Sequence, residues 1–156
     1  MVNIFVYGTL KKGQPNYHIM TDGKRGKAVF KGTGKTAEKY PLVIAEKANI
    51  PFLLNVPGMG HHIAGEIYSV DDQLLKFLDE FESCPDMYQR TLQRIEIVEW
   101  EDKEDSPEDR PDANRIIECF VYSTTSYRPE WLNLPYHDCY DSFGKHGLVY
   151  VNHLDR

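Results

Sequence analysis

Apolar and polar positions change period several times along the chain. Val2, Ile4 and Val6 alternate with Asn3, Phe5 and Tyr7, and the run is rich in β-branched and aromatic residues. It predicts a strand buried on at least one face and, with Phe5 and Tyr7 on the other parity, on both, ending at Gly8. Asn16 to Met20, after Pro15, are expected to open a short helix. Between Lys27 and Val56 the stretches "KAVFKGTGKT", "YPLVIAE" and "IPFLLNV" predict short strands joined by turns, and the Pro-Gly pair makes "VPGMG" a turn. "HIAGEIYSV" returns as a strand with Ile63, Gly65, Ile67 and Ser69 on one face.

The period then becomes helical. In "SVDDQLLKFLDEFESCP", residues Leu74, Leu75, Phe77, Leu78 and Phe81 form one stripe that faces a core. Ser69 or Asp71 caps the start, and Pro85 ends the helix around Ser83. "LQRIEIVEW" and "RIIECFVYS" alternate again as strands. Between them the stretch from Glu99 to Asp112, "EWEDKEDSPEDRPD", is acidic with no apolar residue after Trp100, and is expected to be a solvated loop. The last segment carries only weak helical and irregular signals, with a tail over about 145–156 expected to fray. Strands outnumber helices and hairpin-length connections dominate. The class is therefore α+β, with a curved, mostly antiparallel or mixed sheet closing into a small barrel.

Composition narrows the function classes. A chain of 156 residues is expected to form one domain spanning 1–156 and to bury about two-thirds of the surface it exposes unfolded. A net charge of −6 argues against a general nucleic-acid binder. Cys84, Cys119 and Cys139 are an odd count without paired spacing, which suits free thiols in a reducing compartment. The N-terminus lacks a signal-peptide pattern, and no stretch approaches the ~20 apolar residues of a membrane span. A cytoplasmic protein is expected, without a membrane partner.

The loop after the first strand, "VYGTLKKGQPNY", raises the question of a phosphate site, because Gly8 and Gly13 bracket four residues. A P-loop requires Lys and then Ser or Thr after the second glycine, and here Gln14 and Pro15 stand in those places. A strand that ends in a glycine loop still presents backbone N–H groups able to hold an anion or another polar ligand. Glu82, at the C-terminal end of the predicted helix, has two readings. It is a solvent-exposed helix-end carboxylate, or a base whose pKa the negative end of the helix dipole raises toward neutrality. Cys84 lies among Asp79, Glu80, Glu82 and Asp86, all of which oppose a thiolate, so it is a poor nucleophile. His61, His62 and the "HDC" at 137–139 lack zinc-ligand spacing, and no metal is expected. No serine-hydrolase elbow is present. Tyr40, Tyr68, Tyr88, Tyr122 and Tyr127 read as core or cross-strand packing.

Two segments together, "VYGTLKKGQPN" near the start and "FLDEFESCPDMYQR" about seventy residues later, resemble the γ-glutamylcyclotransferase superfamily. The Tyr-Gly-Thr-Leu form with its lysines and Gly-Gln-Pro-Asn is similar to the γ-glutamylamine cyclotransferase branch, the AIG2-like group, and the likeness extends from Met1 to about Tyr122. The resemblance implies a compact mixed β-barrel with flanking short helices. It implies substrate binding by Tyr7, Gly8, Thr9 and Leu10, and it places the catalytic acid on Glu82, since Leu78, Asp79, Pro85, Tyr88 and Arg90 match its surroundings. Ser83 stands where many members carry glycine. The implied reaction is attack of a γ-glutamyl substrate's α-amino group on its own side-chain amide. It gives 5-oxoproline and a free amine, such as lysine from γ-glutamyl-ε-lysine of transglutaminase crosslinks, without cofactor or metal. The expected partner is this small molecule, and the expected state a monomer. Alternatives are a cyclotransferase for γ-glutamyl amino acids or glutathione, and a binding module that keeps the fold without catalysis.

Overall fold

The computed structural model describes residues 1–101, 111–152 and 156. Its elements are β1 (Val2–Val6), α1 (His18–Thr21), β2 (Ala28–Thr36), β3 (Leu42–Ala45), β4 (Ile50–Leu53), β5 (Ala64–Val70), α2 (Asp72–Phe81), β6 (Gln89–Trp100), β7 (Ile116–Ser123) and a 3-10 turn at Pro129–Asn133. Among the described residues, five strands close a barrel in the order β1-β5-β2-β6-β7. Neighbours pair antiparallel except at the closure, where β1 meets β7 parallel through Ile4 and Phe120. β3 and β4 form a separate hairpin.

Alternation along β1 sends its side chains into two cores. Phe5 and Tyr7 join Ile67, Ile95, Ile97 and Val121 inside the barrel. Ile4 and Val6 join Leu74 and Leu78 of α2 in a second core outside it. The first strand is thus buried on both faces, and burial of this apolar surface is what holds helix and loop against the barrel. Asp71 caps α2, accepting from the N–H of Leu74 at 2.9 Å and from that of Lys27 at 2.9 Å. Of the two residues expected as caps, Asp71 fills the role.

Two expectations need correction. Strand β6 runs through Glu99 and Trp100, paired with Thr33 and Gly32 of β2, because the aromatic residue and its neighbour complete the ladder before the acidic run begins. Residues 102–110 of that run lie outside the described residues. The stretch expected to fray is docked instead as far as residue 152. Within it, Tyr150 N–H donates to Ser142 Oγ at 2.9 Å, Val151 N–H donates to Ala48 O at 2.8 Å, and Val149 O accepts from the Asn49 side chain at 2.9 Å. Such isolated bonds to neighbouring elements leave no periodic trace in a sequence.

Candidate active site

A pocket opens where β1 ends. Its wall contains Tyr7, Gly8, Thr9 and Leu10 from the first loop, Glu82 from the end of α2, Ile50 and Pro51 from β4, Tyr88 just before β6, and Tyr122 from β7. Phe81, Met87, Tyr150 and Arg156 complete much of the rest. The loop and the carboxylate, distant in sequence, share one cavity.

The loop is held by its own residues. Lys11 N–H donates to Gly8 O, Asn16 N–H donates to Thr9 O at 2.8 Å, and the Asn16 side chain donates to Thr9 Oγ1 at 3.0 Å. Gly13 takes a φ of +82°, which lets the chain double back. Thr9 and Leu10 are buried, yet among the described residues the N–H groups of Gly8, Thr9 and Leu10 donate to no protein acceptor. Buried backbone donors are rarely left so. Three consecutive unpaired N–H groups beside a pocket are suited to an anion or a developing oxyanion. Gly8 keeps this approach uncrowded: a Cβ there would lie 3.1 Å from Pro51 Cγ, tighter than an ordinary contact.

Glu82 is half-buried as a residue, but its carboxyl is enclosed by protein, and burial pushes its pKa from 4.5 up to about 8. The expected direction holds, with desolvation as its cause. The charge of Glu82 reaches its neighbours. Tyr7 and Tyr88 are raised above the ordinary tyrosine value by burial first, with the Glu82 charge contributing to each. Cys84 is likewise pushed up, to about 11, by burial and then by Asp79 and Glu82, which leaves it a thiol.

The helix end that aims Glu82 is a Schellman turn. Ser83 N–H donates to Glu80 O at 3.0 Å, Cys84 N–H donates to Asp79 O at 2.9 Å, and Ser83 adopts a φ of +53°. This left-handed position explains why glycine serves there in many members. Asp79 anchors the turn from the other side: its Oδ1 accepts from Tyr122 OH at 2.8 Å and pairs with Arg90 Nε at 3.1 Å. The Leu-Asp and the arginine on either side of Glu82 thereby gain a physical role.

Comparison with known proteins shows the family. The family model described as "Gamma-glutamyl cyclotransferase, AIG2-like" matches residues 4–142. The chain belongs to the AIG2-like gamma-glutamyl cyclotransferase family. It is 72% identical over 136 residues to a gamma-glutamylaminecyclotransferase of Xenopus laevis, covering 87% of this chain and 99% of that protein. To the Homo sapiens protein of the same name it is 52% identical over 150 residues, 96% of each chain. The crystal structure of a Mus musculus AIG2-like protein superposes with a TM-score of 0.90 at 52% identity, covering 100% of this chain and 99% of that one. The likeness therefore runs past Tyr122, through the docked C-terminal segment.

Within this AIG2-like pocket, sequence reasoning missed several wall residues. Tyr88 and Tyr122, read as packing, do pack, with Tyr88 OH donating to Pro51 O at 2.6 Å, but each also presents a face to the cavity. Tyr7 keeps its hydroxyl for structure: it donates to Tyr122 O and accepts from Leu53 N–H. Its contribution to the wall is therefore its ring. Tyr150 and Arg156 come from the segment without periodicity, and no pattern pointed to them. His61, His62 and His137 lie outside this pocket.

Proposed function

We propose that the chain is a cyclotransferase acting on γ-glutamylamines, releasing the amine while the glutamyl part closes as 5-oxoproline. The observation that carries this reading is the sharing of one pocket by a buried, weakly acidic Glu82 and the unpaired N–H groups of Gly8, Thr9 and Leu10. Family membership and the names of relatives more than 50% identical support it.

The chemistry follows from placement. The loop N–H groups hold the substrate's α-carboxylate and the γ-carbonyl oxygen, bending the glutamyl chain so that its nitrogen meets its own carbonyl. Intramolecular attack in a fixed geometry reaches effective molarities of about 10⁵ M or more. With the pocket empty and Glu82 at about 8, roughly a tenth of the carboxyl is ionised at neutral pH. The entering α-ammonium is a cation beside it and favours the carboxylate, which then takes the ammonium proton. The freed amine attacks the γ-carbon, the amide C–N bond breaks, and the α-nitrogen sheds two protons in all, both delivered to the departing nitrogen through Glu82. Such a shuttle contributes roughly 10²–10⁴-fold.

Release of 5-oxoproline from γ-glutamyl-ε-lysine, γ-glutamyl-alanine and glutathione, assayed side by side, tests the assignment. Preference for the first is expected; equal or better turnover of the other two overturns it. Glu82→Gln keeps the shape and removes the base, and is expected to lower kcat by about 10³-fold. Undiminished turnover by this variant removes Glu82 from the mechanism, and binding of 5-oxoproline without turnover by the wild type replaces an enzyme with a binding module.

A further inference from the structure

Asp79 and Glu82 lie three residues apart at the end of α2, a spacing that makes them neighbours on a helix. Asp79 holds the turn that carries Glu82 in two ways. Its carbonyl accepts from Cys84 N–H at 2.9 Å, and its Oδ1 accepts from Tyr122 OH at 2.8 Å and pairs with Arg90 Nε at 3.1 Å. Tyr122 and Arg90 stand directly opposite each other in the β6–β7 ladder, so both side chains reach the carboxylate from one face of the sheet. Arg90 is itself braced, with Cζ 4.7 Å from the centre of the Phe120 ring. The end of the helix is thus fixed to two paired strands through a single carboxylate oxygen.

Tyr122 also meets the other half of the site. Its backbone carbonyl accepts from Tyr7 OH, and Tyr7 immediately precedes Gly8, Thr9 and Leu10. One buried residue of β7 therefore stands between the turn of Glu82 and the donor loop, its hydroxyl on Asp79 and its carbonyl on Tyr7. Phenylalanine in its place would cover the same wall and keep the carbonyl, but it would leave Asp79 to Arg90 alone. A base must lie within hydrogen-bond reach of the nitrogen it serves, and a misplacement of about 1 Å is enough to slow an oriented reaction severely.

We propose that Tyr122, acting through Asp79, is a positioning residue that sets where Glu82 stands relative to the substrate nitrogen held by the loop. This deepens the function proposed above and rests on it.

The test measures kcat and KM for 5-oxoproline release from γ-glutamyl-ε-lysine, together with the Kd for 5-oxoproline. It is run on the wild type, Tyr122→Phe, Asp79→Ala and the double variant, each checked for folding at the assay temperature by circular dichroism. Tyr122→Phe is expected to lose about 10-fold in kcat, with KM and the Kd for 5-oxoproline within about 3-fold, because the ring and the carbonyl that holds Tyr7 remain. Asp79→Ala leaves Tyr122 on the wall and is expected to show the same split; it carries the test alone if the tyrosine variant does not fold. The double variant is expected to be no slower than the slower single one, since both changes remove one bond. Undiminished kcat in either folded single variant overturns the proposal. Losses that multiply in the double variant overturn it, because the hydroxyl then acts independently of Asp79. Affinity for 5-oxoproline that falls in step with kcat overturns it as well, because Tyr122 then serves the loop or the pocket's shape. In each of these cases wild-type turnover leaves the cyclotransferase reading intact, whereas a wild type that binds 5-oxoproline and never forms it overturns both.

Discussion

At the residue scale, the proposed role of Glu82 ties stability to activity through one equilibrium. The unfolded chain gives up this proton near the ordinary value of 4.5, the folded chain only near 8. Between those values the folded state binds more protons than the unfolded one, so rising pH costs stability across that window. Below it the carboxyl is neutral in both states and the penalty vanishes; above it the penalty is full and constant. Glu82→Gln is neutral at every pH. It is therefore expected to melt close to the wild type at pH 4.5 and above it at pH 8.5, by an amount worth a few kcal/mol at most. Calorimetry at the two pH values checks the sign; a variant less stable at pH 8.5 contradicts burial as the origin of the shift. In the proposed mechanism the same equilibrium governs catalysis in the opposite sense. Only the ionised form accepts a proton, so log kcat/KM is expected to climb with unit slope and level off near pH 8, since this ratio reports the free enzyme. A plateau beginning near pH 5 excludes Glu82 as the titrating base.

At the element scale, the C-terminal turn of α2 decides where Glu82 points, and its geometry is only partly legible in a sequence. The stripe of Leu74, Leu78 and their neighbours announced the helix and its buried face, and Pro85 announced the end. The left-handed residue between them was not announced, because serine has no preference for that conformation. Likewise, alternation in β1, β6 and β7 predicted the strands, but the parallel contact of Ile4 with Phe120 that closes the barrel is a property of the whole sheet. Tyr88 and Tyr122 illustrate the same limit: their pattern reports burial, and only the fold reports that the space beside them is empty. Ser83 offers a direct measurement. Glycine at this position removes the Cβ that makes φ of +53° unfavourable, and also gives the unfolded chain more freedom. The balance is expected to favour Ser83→Gly by about 0.5–1 kcal/mol, with activity and pH profile unchanged. Chemical denaturation reads the first and the 5-oxoproline assay the second. A stabilised but inactive variant means that the Ser83 hydroxyl has a part in the chemistry.

At the scale of the whole molecule, the first loop and the C-terminal segment form one unit. The Lys11 ammonium, on a residue only 8% exposed, donates to Tyr140 O at 2.7 Å. Gln14 meets the same segment with both ends of its amide, donating to Asp141 Oδ1 at 3.2 Å and accepting from Ser142 N–H at 2.8 Å. These contacts join residues more than 120 positions apart. Lysine and glutamine in a loop look solvent-facing when read alone; their burial depends on a segment that arrives last in the chain. The consequence is that the loop's N–H groups are aimed from behind, by Lys11 and Gln14, and not by the pocket itself. Lys11→Met keeps the apolar stem and removes the ammonium, leaving the Tyr140 carbonyl without its donor. A cost of about 1–3 kcal/mol in stability is expected, with faster amide exchange across 140–142. A small misplacement of the loop donors lowers kcat/KM by about 10-fold or more. The pH midpoint near 8 is expected to stay where it is, because burial and not the Lys11 charge is the cause of the Glu82 shift. Those three readings belong together: lost activity with a shifted midpoint instead places Lys11 within electrostatic reach of the base, and unchanged activity with loosened 140–142 means that the loop holds its geometry without the clamp.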